Sequence, residues 1–403
     1  MGPAMETSPP PGPLAGTRVL DLSRMISGPL CGRLLADLGA DVVKVEPPGG
    51  DPTRRVPPLV DGISPYYAQA NAGKRNVGID LKAPDGAAVL ARLAADADVF
   101  IENFRPGVLG RYGLDARALL DANPELVYCS VTGWGQDGPW QHRRAYAPMV
   151  HSEAGTLELA ARHRHRRPEH DVNQHADVYA AVMATNAVMA ALLERVRTGR
   201  GQHIDLAMAQ VTTYVNEWAA VNLQPPIDDF FGFDSWNHFT YRLGDGSYVA
   251  LLGDPVQLFP VWAEQLGATA DLLADPRFAT PEARAQHREE LVDALDDLTS
   301  AFPDFEAVEA SLDPRMLAAQ VRSVADLADT GWASQRDLLS EVAPGLPVPT
   351  APWKTTGGHI GVRPVVARSG ADNAAVLTEA GFTDDEVAAL AAAGAIYEEA
   401  TPR

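Results

Sequence analysis

The feature that most constrains the fold is a regular alternation of short apolar stretches with helix-forming stretches over residues 17–140. The apolar stretches are residues 17–22, 41–46, 71–82, 98–104 and 126–140. Strands that alternate with helices pair in parallel through right-handed crossovers. The pattern therefore predicts the α/β class, with helices covering a parallel sheet. Because the first strand–helix–strand unit lacks a G-x-G-x-x-G sequence, it gives little support for a dinucleotide site.

A long apolar stretch, residues 178–193, follows Asp177 and predicts a helix that is buried on every side. Its polar Thr185 and Asn186, and the lack of a second such stretch, favour a core helix over a membrane span. An Asp at a helix start is an ordinary N-cap. A carboxylate beside so much apolar surface can also be one that is paired, neutralised or used in chemistry. Spacing alone favours the cap.

A polar, aromatic and basic cluster, Asn103, Phe104 and Arg105, follows the fourth predicted strand. In open α/β sheets, ligands bind outside the carboxyl ends of the strands. The cluster is therefore a candidate binding site. A solvated loop with one capping Asn explains the same residues, and the sequence does not separate the two interpretations.

Charge and cysteine content narrow the class of protein. The net charge of −20, from 33 Lys and Arg against 53 Asp and Glu, argues against a general nucleic-acid binder but allows local basic pockets for one anionic ligand. Two distant cysteines, Cys31 and Cys129, favour a reduced, cytoplasmic setting. The histidines of residues 163–175 are flanked by arginines without metal-ligand spacing, so we expect a basic loop and no metal.

The length of 403 residues predicts two domains. Residues 1–13 are expected to be a loose Pro-rich tail and not a signal peptide. Residues 14–224 form the first part of a large domain, and the aromatic-rich residues 225–335 form a small one with a hairpin around Asp245 and Gly246. Residues 336–403 hold a linker, 345–352, and a last helix, 383–395, capped by Thr383.

Several of these stretches, in order over roughly residues 14–280, resemble the class III CoA-transferase family, which includes formyl-CoA transferase, carnitine CoA-transferases and alpha-methylacyl-CoA racemase. They read LAGTRVLDLSRMISGP, LLADLGADVVKVEPP, NAGKRNVGIDLK, DVFIENFRPG, NPELVYCSVTGWGQDGP, LLERVRTGRGQHIDLAM, YRLGDGSYVAL and DPRFAT. The resemblance implies a Rossmann-like large domain made from both chain ends, so that residues 336–403 return to it. It further implies a smaller inserted α+β domain and a homodimer of interlocked rings.

The same resemblance implies coenzyme A as acyl carrier and substrate, an acyl-CoA and a carboxylic acid as partners, and no metal, membrane or nucleic acid. Asn103, Phe104, Arg111 and Tyr112 match the family's CoA contacts. Nearby cations that we expect to contribute are Lys74, Arg75, Arg105 and Arg144. Arginine suits this role because its guanidinium binds phosphate through two parallel hydrogen bonds.

Asp177 matches the family's catalytic Asp, which becomes acylated and then carries CoA as a thioester. Tyr146 and Ala147 replace a His–Asp pair of the racemase branch. Racemisation needs an acid or base on each face of the α-carbon, and the ordinary pKa of tyrosine is about 10. A CoA-transferase is therefore our first hypothesis, a racemase or epimerase the second, and a catalytically inactive CoA-binding homologue the third.

Two further positions bear on the substrate. Ile26 stands where formyl-CoA transferase has a Gln, and Tyr146 lies in the same expected substrate pocket. We therefore expect neither oxalate nor formate as substrate. The aromatic residues 228–239 indicate a larger or more apolar acyl group.

Overall fold

The computed structural model of the chain describes residues 12–164, 167–224, 240–313 and 316–399. These residues divide into two compact units. The first takes in residues 12–162, 167–219 and 332–399, and the second takes in 163–164 and 220–331 apart from the gaps. The aromatic segment 228–239, from which a larger acyl group was predicted, lies outside the described residues.

The first unit is built on a six-stranded parallel sheet in the order β3-β2-β1-β4-β5-β6. Its strands are β1 (Arg18–Asp21), β2 (Asp41–Glu46), β3 (Arg75–Gly78), β4 (Val99–Glu102), β5 (Val127–Thr132) and β6 (Gln202–Ala207). The predicted α/β class and parallel sheet are confirmed. Strand order reverses between β1 and β4, so the loops after these two strands border a crevice, where such sheets bind ligands.

Helices connect the strands, as the alternation predicted. Up to residue 222 the helices are α1 (Ser27–Asp37), α2 (Pro65–Asn71), α3 (Gly86–Ala95), α4 (Ala116–Ala122), α5 (Ala147–Glu153), α6 (Thr156–Arg164), α7 (His175–Thr198), α8 (Met208–Tyr214) and α9 (Ala219–Asn222). Short 3₁₀ helices cover Pro52–Arg55 and Leu109–Tyr112.

The central helix α7 packs its small residues against α1 and the sheet. Ala176, Ala180, Ala181 and Ala184 are fully buried, and these alanines let the two helices approach closely. The prediction of burial on every side is wrong, because the opposite face exposes apolar side chains. Those side chains are Val178, Tyr179, Val182, Leu193 and Val196. By length and composition alone α7 could cross a membrane, but its buried face belongs to the core of this unit.

The second unit has its own antiparallel sheet and core. The sheet consists of β7 (Thr240–Arg242), β8 (Tyr248–Leu251) and β9 (Ala318–Val321), in that order. The hairpin predicted around Asp245 and Gly246 is confirmed, since β7 and β8 pair antiparallel on either side of these residues. Further along the chain lie α10 (Pro255–Gln265), α11 (Ala270–Leu273), the 3₁₀ helix Pro276–Phe278, α12 (Pro281–Gln286), α13 (Arg288–Ser300), α14 (Phe305–Ser311) and α15 (Val324–Ala328), and α16 (Gly331–Arg336) then begins the return to the first unit.

The C-terminal residues complete the first unit. Residues 345–352 are not a plain linker, because β11 (Leu346–Pro349) pairs antiparallel with β10 (Leu339–Ala343). Prolines are tolerated in such a strand when it lies at an edge. Helices α17 (Asn373–Glu379) and α18 (Asp384–Ala392) follow, and Thr383 caps α18 as predicted. Ile396 then forms a bridge with Ile79 beside the main sheet.

Candidate active site

A cavity of about 520 Å³ opens at the carboxyl ends of β1, β4, β5 and β6. It is lined by residues 24–27, 103–106, 131–133 and 143–147, together with Pro52, Tyr66, Gln141, Gln174, Asp177 and Met208. The general rule that ligands bind outside the carboxyl ends of the strands, which singled out the cluster at Asn103, therefore predicted the correct edge of the sheet. Asp177 is the only carboxylate among the described residues that line this cavity.

Asp177 lies in the first turn of α7 and is not its cap. The helix begins at His175 with Gln174 in the capping position, so the N-cap interpretation of Asp177 is wrong. The half-buried Asp177 carboxylate faces the hydroxyl and N–H of Ser27 and the N–H of Ala147, and the attraction of these donors lowers its pKa. Ser27 begins α1 and Ala147 begins α5, so the starts of two further helices supply these donors.

Burial raises the pKa of Asp177 to about 6, while the hydrogen bonds from Ser27 and Ala147 lower it in part. At pH 7 the carboxylate is therefore mostly ionised, yet it is less well solvated than an exposed one. This combination suits a nucleophile, because desolvation makes a carboxylate more reactive. Tyr66 faces the same group, since burial and the charge of Asp177 together raise the pKa of the Tyr66 hydroxyl.

The loop after β1 is fixed in place by the loop after β4. The Arg24 N–H donates to Asn103 Oδ1 at 2.8 Å, and Asn103 Nδ2 donates to the Arg24 carbonyl at 2.7 Å. Asn103 Nδ2 also lies 3.4 Å from the Ser27 hydroxyl oxygen. Met25, next in the chain, has a φ of +69°, a conformation that is strained for a residue with a side chain. The loop is thus rigid where it borders the cavity.

Four arginines line the cavity and differ in exposure. Arg105 and Arg144, both predicted CoA-binding cations, are exposed. Arg143 is also exposed, pairs with Glu153 and stacks over Trp140 at 4.3 Å from the ring centroid. Arg24 is half-buried, and its Nε has no hydrogen-bond partner among the described residues. Guanidinium groups facing a common cavity favour an anionic ligand.

The structure does not bring Lys74 or Arg75 to the cavity, so their prediction as CoA-binding cations is corrected. Lys74 is buried, and its Nζ donates to Asp21 at 2.7 Å, to the Pro29 carbonyl and to Asn71. Burial lowers the pKa of Lys74 to about 8, although Asp21 acts in the opposite direction. A buried ammonium with three acceptors has no free donor for a phosphate.

Arg75 is the first residue of β3 and does not line the cavity. Its Nε donates to Asp41 at 3.0 Å and its Nη1 donates to Glu379. The guanidinium therefore ties β3 and β2 to α17 and is occupied by two carboxylates. This is a structural role, and no part of the cavity lining depends on it.

Arg111 and Tyr112 lie on the 3₁₀ helix after the Asn103 loop and do not line the cavity. Arg111 is exposed, and Tyr112 packs against the core on the other side of the sheet. The CoA contacts predicted for them stay predictions. A second cavity of about 280 Å³ borders this segment and shares Arg105 and Pro106 with the first. In its wall the Ser130 hydroxyl lies 2.9 Å from His203 Nε2.

The two predicted substrate-pocket residues, Ile26 and Tyr146, both line the cavity. Tyr146 precedes α5 and is 62% exposed, so the hydroxyl is accessible to a substrate. His151, one and a half turns further along, is buried, and its Nε2 accepts a hydrogen bond of 2.9 Å from the Ala176 N–H. Burial lowers the pKa of His151, and the ring holds the start of α7 in place.

Sequence reasoning missed Arg24, Ser27 and Tyr66. The strand-end rule that was applied to the loop after β4 applies equally to the loop after β1, and it would have found Arg24 and Ser27. Tyr66 lies on α2, and no local pattern connects it with Asp177. Among the described residues there is no group of three or more His, Cys, Asp or Glu side chains placed to hold a metal ion.

Comparison with known proteins agrees with this geometry. Residues 14–373 match CoA-transferase family III. The chain is 38% identical over 295 residues to the succinate–glutarate CoA-transferase of Agrobacterium fabrum, which covers 69% of this chain and 72% of that protein. It is 30% identical over 371 residues to the acetyl-CoA:oxalate CoA-transferase of Acetobacter aceti, covering 87% and 92%.

Among solved structures, a CaiB/BaiF family protein from Brucella suis is 31% identical with a TM-score of 0.81, covering 92% of this chain and all of that one. The six-stranded parallel sheet, the smaller antiparallel sheets and the cavity at the strand ends define an α/β protein with a candidate ligand site at the carboxyl edge of its main sheet. The chain belongs to CoA-transferase family III. It is an acyl-CoA:carboxylate CoA-transferase, which moves CoA from an acyl-CoA thioester to a free carboxylic acid.

Proposed function

We propose that this chain transfers CoA through a covalent intermediate on Asp177. The observation that carries the proposal is Asp177, the single carboxylate among the described residues of the cavity wall, half-buried beside the donors of Ser27 and Ala147. A nucleophile in acyl transfer has to be positioned and desolvated, and Asp177 meets both requirements. Arg105 and Arg144, exposed at the same cavity, would meet the phosphates of CoA, and the predicted CoA contacts Asn103 and Phe104 line the cavity as well.

In the first half-reaction, an oxygen of Asp177 attacks the thioester carbonyl of the acyl-CoA. The carbon–sulfur bond breaks, CoA leaves as thiolate, and a mixed anhydride joins the acyl group to Asp177. The thiolate then attacks the Asp177 carbonyl, which releases the donor acid as carboxylate and leaves a thioester between Asp177 and CoA.

In the second half-reaction, the acceptor carboxylate attacks the Asp177 thioester and displaces the thiolate, which gives a second mixed anhydride. The thiolate attacks the acceptor carbonyl of that anhydride, so that the new acyl-CoA forms and the Asp177 carboxylate is restored. Each addition places negative charge on a carbonyl oxygen, and donors at that oxygen lower the barrier. The Ser27 and Ala147 N–H groups beside Asp177 are candidates for such donors, and the hydroxyls of Tyr66 and Tyr146 line the same cavity.

The racemase alternative is less well supported by these positions. Asp177 provides one base, but the second would have to be Tyr146, because His151 is buried and its Nε2 is occupied by the Ala176 N–H. Tyrosine phenols in general have a reference pKa of about 10, so at neutral pH very few of them are ionised and able to accept a proton. Described residues of the cavity lining include no histidine.

The test is the variant Asp177→Asn, which removes the nucleophile and keeps the size of the side chain. We expect CoA transfer to fall by at least about a thousandfold while free CoA still binds, as measured by coupled transfer assay and calorimetry. Asp171→Asn is the matched control, since Asp171 is an exposed carboxylate six residues earlier that does not line the cavity. Near-normal transfer by Asp177→Asn would remove Asp177 from the mechanism.

We also propose that the chain forms a homodimer in which a second copy covers the exposed face of α7. Support comes from the apolar side chains of that face, Val178, Tyr179, Val182 and Leu193, which are exposed on one helix. Contiguous exposed apolar patches mark interaction sites. Light scattering should give a dimer mass, and Val182→Glu combined with Leu193→Glu should give a monomer. The interlocking of the two chains and the cytoplasmic location stay predictions.

A further inference from the structure

A cluster of four buried charges holds the loop that follows β1, and the proposed function does not use it. Its members are Asp21, Lys44, Asp51 and Lys74, each at most 2% exposed. Lys74 Nζ lies 2.7 Å from Asp21 Oδ2. Lys44 Nζ lies 3.4 Å from Asp51 Oδ2. Buried ion pairs are weak evidence for stability, because desolvation offsets much of the attraction between the charges. Three of these four side chains, however, also bind the backbone of residues 23–25.

Ser23, the first residue of this loop, is held at both of its backbone polar groups. Its N–H donates to Asp21 Oδ1 at 3.0 Å, and its hydroxyl donates to the same oxygen. Its carbonyl accepts a hydrogen bond from Lys44 Nζ. Since Asn103 binds both backbone groups of Arg24, four backbone hydrogen bonds to side chains fix two consecutive residues.

Met25 is the strained residue of the loop, with a φ of +69°. Its N–H donates to Asp51 Oδ2 at 3.2 Å. Asp51 is itself fixed, because its Oδ1 accepts from the N–H and the hydroxyl of Thr53 at 2.9 and 2.7 Å. A residue with a side chain keeps a left-handed backbone where its surroundings over-determine it, and such residues cluster at functional sites. Asp51, the buried partner of Lys44, supplies this constraint at Met25.

The loop leads directly into the candidate active site. Ile26 lines the cavity, and its carbonyl accepts the Leu30 N–H at 2.8 Å. Helix α1 therefore begins at Ser27, two residues after the strained Met25. Burial raises the pKa of Asp177, but the hydroxyl and N–H of Ser27 face the carboxylate and lower it in part. The position of both Ser27 groups depends on the backbone conformation of Met25.

We propose that Asp51 and Lys44 are positioning residues for CoA transfer. By fixing the backbone at Met25 in its strained conformation, they place the donors of Ser27 beside the Asp177 carboxylate. Neither Asp51 nor Lys44 is part of the cavity lining, so both act through the loop and not on the substrate. The proposal rests on the proposed function, in which Asp177 is the nucleophile.

The experiment follows the acidic limb of kcat/KM against pH in Asp51→Asn. Displacement of the Ser27 donors raises the pKa of Asp177, so the limb should move to higher pH by about 0.5 units or more. A purely electrostatic effect has the opposite sign, because loss of the negative charge leaves Lys44 unopposed and lowers the pKa of a nearby carboxyl group. In a Ser27→Ala background the same substitution should give a smaller shift, since the hydroxyl that it displaces is already absent. Tyr66, a second titratable group that faces Asp177, is unchanged in every variant.

Because Asp51→Asn leaves a buried lysine without its partner, the double variant Lys44→Met with Asp51→Asn is measured beside it. This variant removes both charges, should therefore fold, and should show the limb at higher pH as well. Asp37→Asn is the matched control, since it breaks another buried ion pair, with Arg33 at 2.7 Å, at the far end of α1. Thermal unfolding of all variants reports the loss of stability, and Asp37→Asn should leave the limb in place.

An acidic limb that stays in place or moves to lower pH in the Asp51 variants would overturn the proposal. So would an equal shift in Asp37→Asn, because the limb would then report stability alone. A double variant that does not fold would also overturn it, since the pair would then be needed for the fold itself. Near-normal transfer by Asp177→Asn would instead refute the proposed function, whatever the Asp51 variants show.

Discussion

The ionised form of Asp177 should cost this protein stability, and Asp177→Asn should recover it. Burial raises the pKa of Asp177 to about 6 from an ordinary value of 3.8. At about 1.36 kcal/mol for each pKa unit, this difference corresponds to about 3 kcal/mol at pH 8. Since water reaches part of the carboxylate and Asn keeps an acceptor oxygen for Ser27, we expect a gain of about 1–3 kcal/mol in the free energy of unfolding.

The sign follows from linkage. A carboxyl group with a raised pKa in the folded state binds its proton more tightly when folded, so its contribution to stability is greatest below pH 3.8 and is lost as the pH rises through 6. Asn does not titrate. The advantage of Asp177→Asn should therefore be full at pH 8, about half as large at pH 5, and absent well below pH 3.8.

Thermal unfolding followed by circular dichroism at pH 8 and pH 5 would measure the effect, with a rise of a few degrees in Tm expected at pH 8. Asp171→Asn is a control of opposite sign, because the Asn173 N–H lowers the pKa of the exposed Asp171 carboxyl. An Asp177→Asn variant that is less stable than the native chain, or as stable as the native chain at both pH values, would refute the account of Asp177 as a desolvated nucleophile.

Further predictions concern the pH dependence of activity, the binding of CoA and the absence of racemisation. The pH profile of kcat/KM should fall on the acidic side with an apparent pKa near 6, because protonation removes the nucleophile. Ser27→Ala should move this acidic limb to higher pH, since the Ser27 hydroxyl lowers the pKa of Asp177. An acidic limb near pH 4 would contradict the assignment of Asp177. Arg144→Gln should weaken the binding of free CoA by about tenfold or more in calorimetry. Arg111→Ala should weaken the binding of CoA more than the binding of dephospho-CoA if Arg111 meets the 3′-phosphate. Unchanged affinities would disprove these contacts. In deuterated water without an acceptor acid, a 2-methylacyl-CoA should gain no deuterium at its α-carbon, as judged by mass spectrometry. Exchange of the α-proton at the rate of CoA transfer would instead support the racemase hypothesis, with Tyr146 as the second base.

The sheet could be predicted from the sequence because its central strands, such as Val99–Glu102 and Val127–Thr132, are short apolar runs that are buried on both faces. The strands Asp41–Glu46 and Val99–Glu102 lie inside the stretches where the alternation predicted them. The hairpin at Asp245 and Gly246 was equally accessible, since a two-residue turn signal between β-forming runs is a local property. Residues 345–352 were misjudged because prolines in an edge strand have the same composition as prolines in a linker.

The site was only partly predictable because its decisive contacts are not local. Lys74 neutralises Asp21, 53 residues away, and no spacing indicates that a lysine beside an arginine is buried. The exposed face of α7 could not be foreseen either, because composition does not show which apolar side chains the same chain covers. Asp177 was found through the family resemblance, whereas the burial that raises its pKa and the donors of Ser27 and Ala147 that partly oppose this effect came only from the folded chain.

The central claim, a covalent intermediate on Asp177, is tested most directly by trapping. The native chain is incubated with an acyl-CoA and hydroxylamine in the absence of an acceptor acid, digested, and analysed by peptide mass spectrometry. We predict a hydroxamate confined to the peptide that contains Asp177, together with loss of activity that requires the acyl-CoA, and no such modification in Asp177→Asn. Modification of a different residue, or continued CoA transfer with no trapped species on Asp177, would contradict the mechanism.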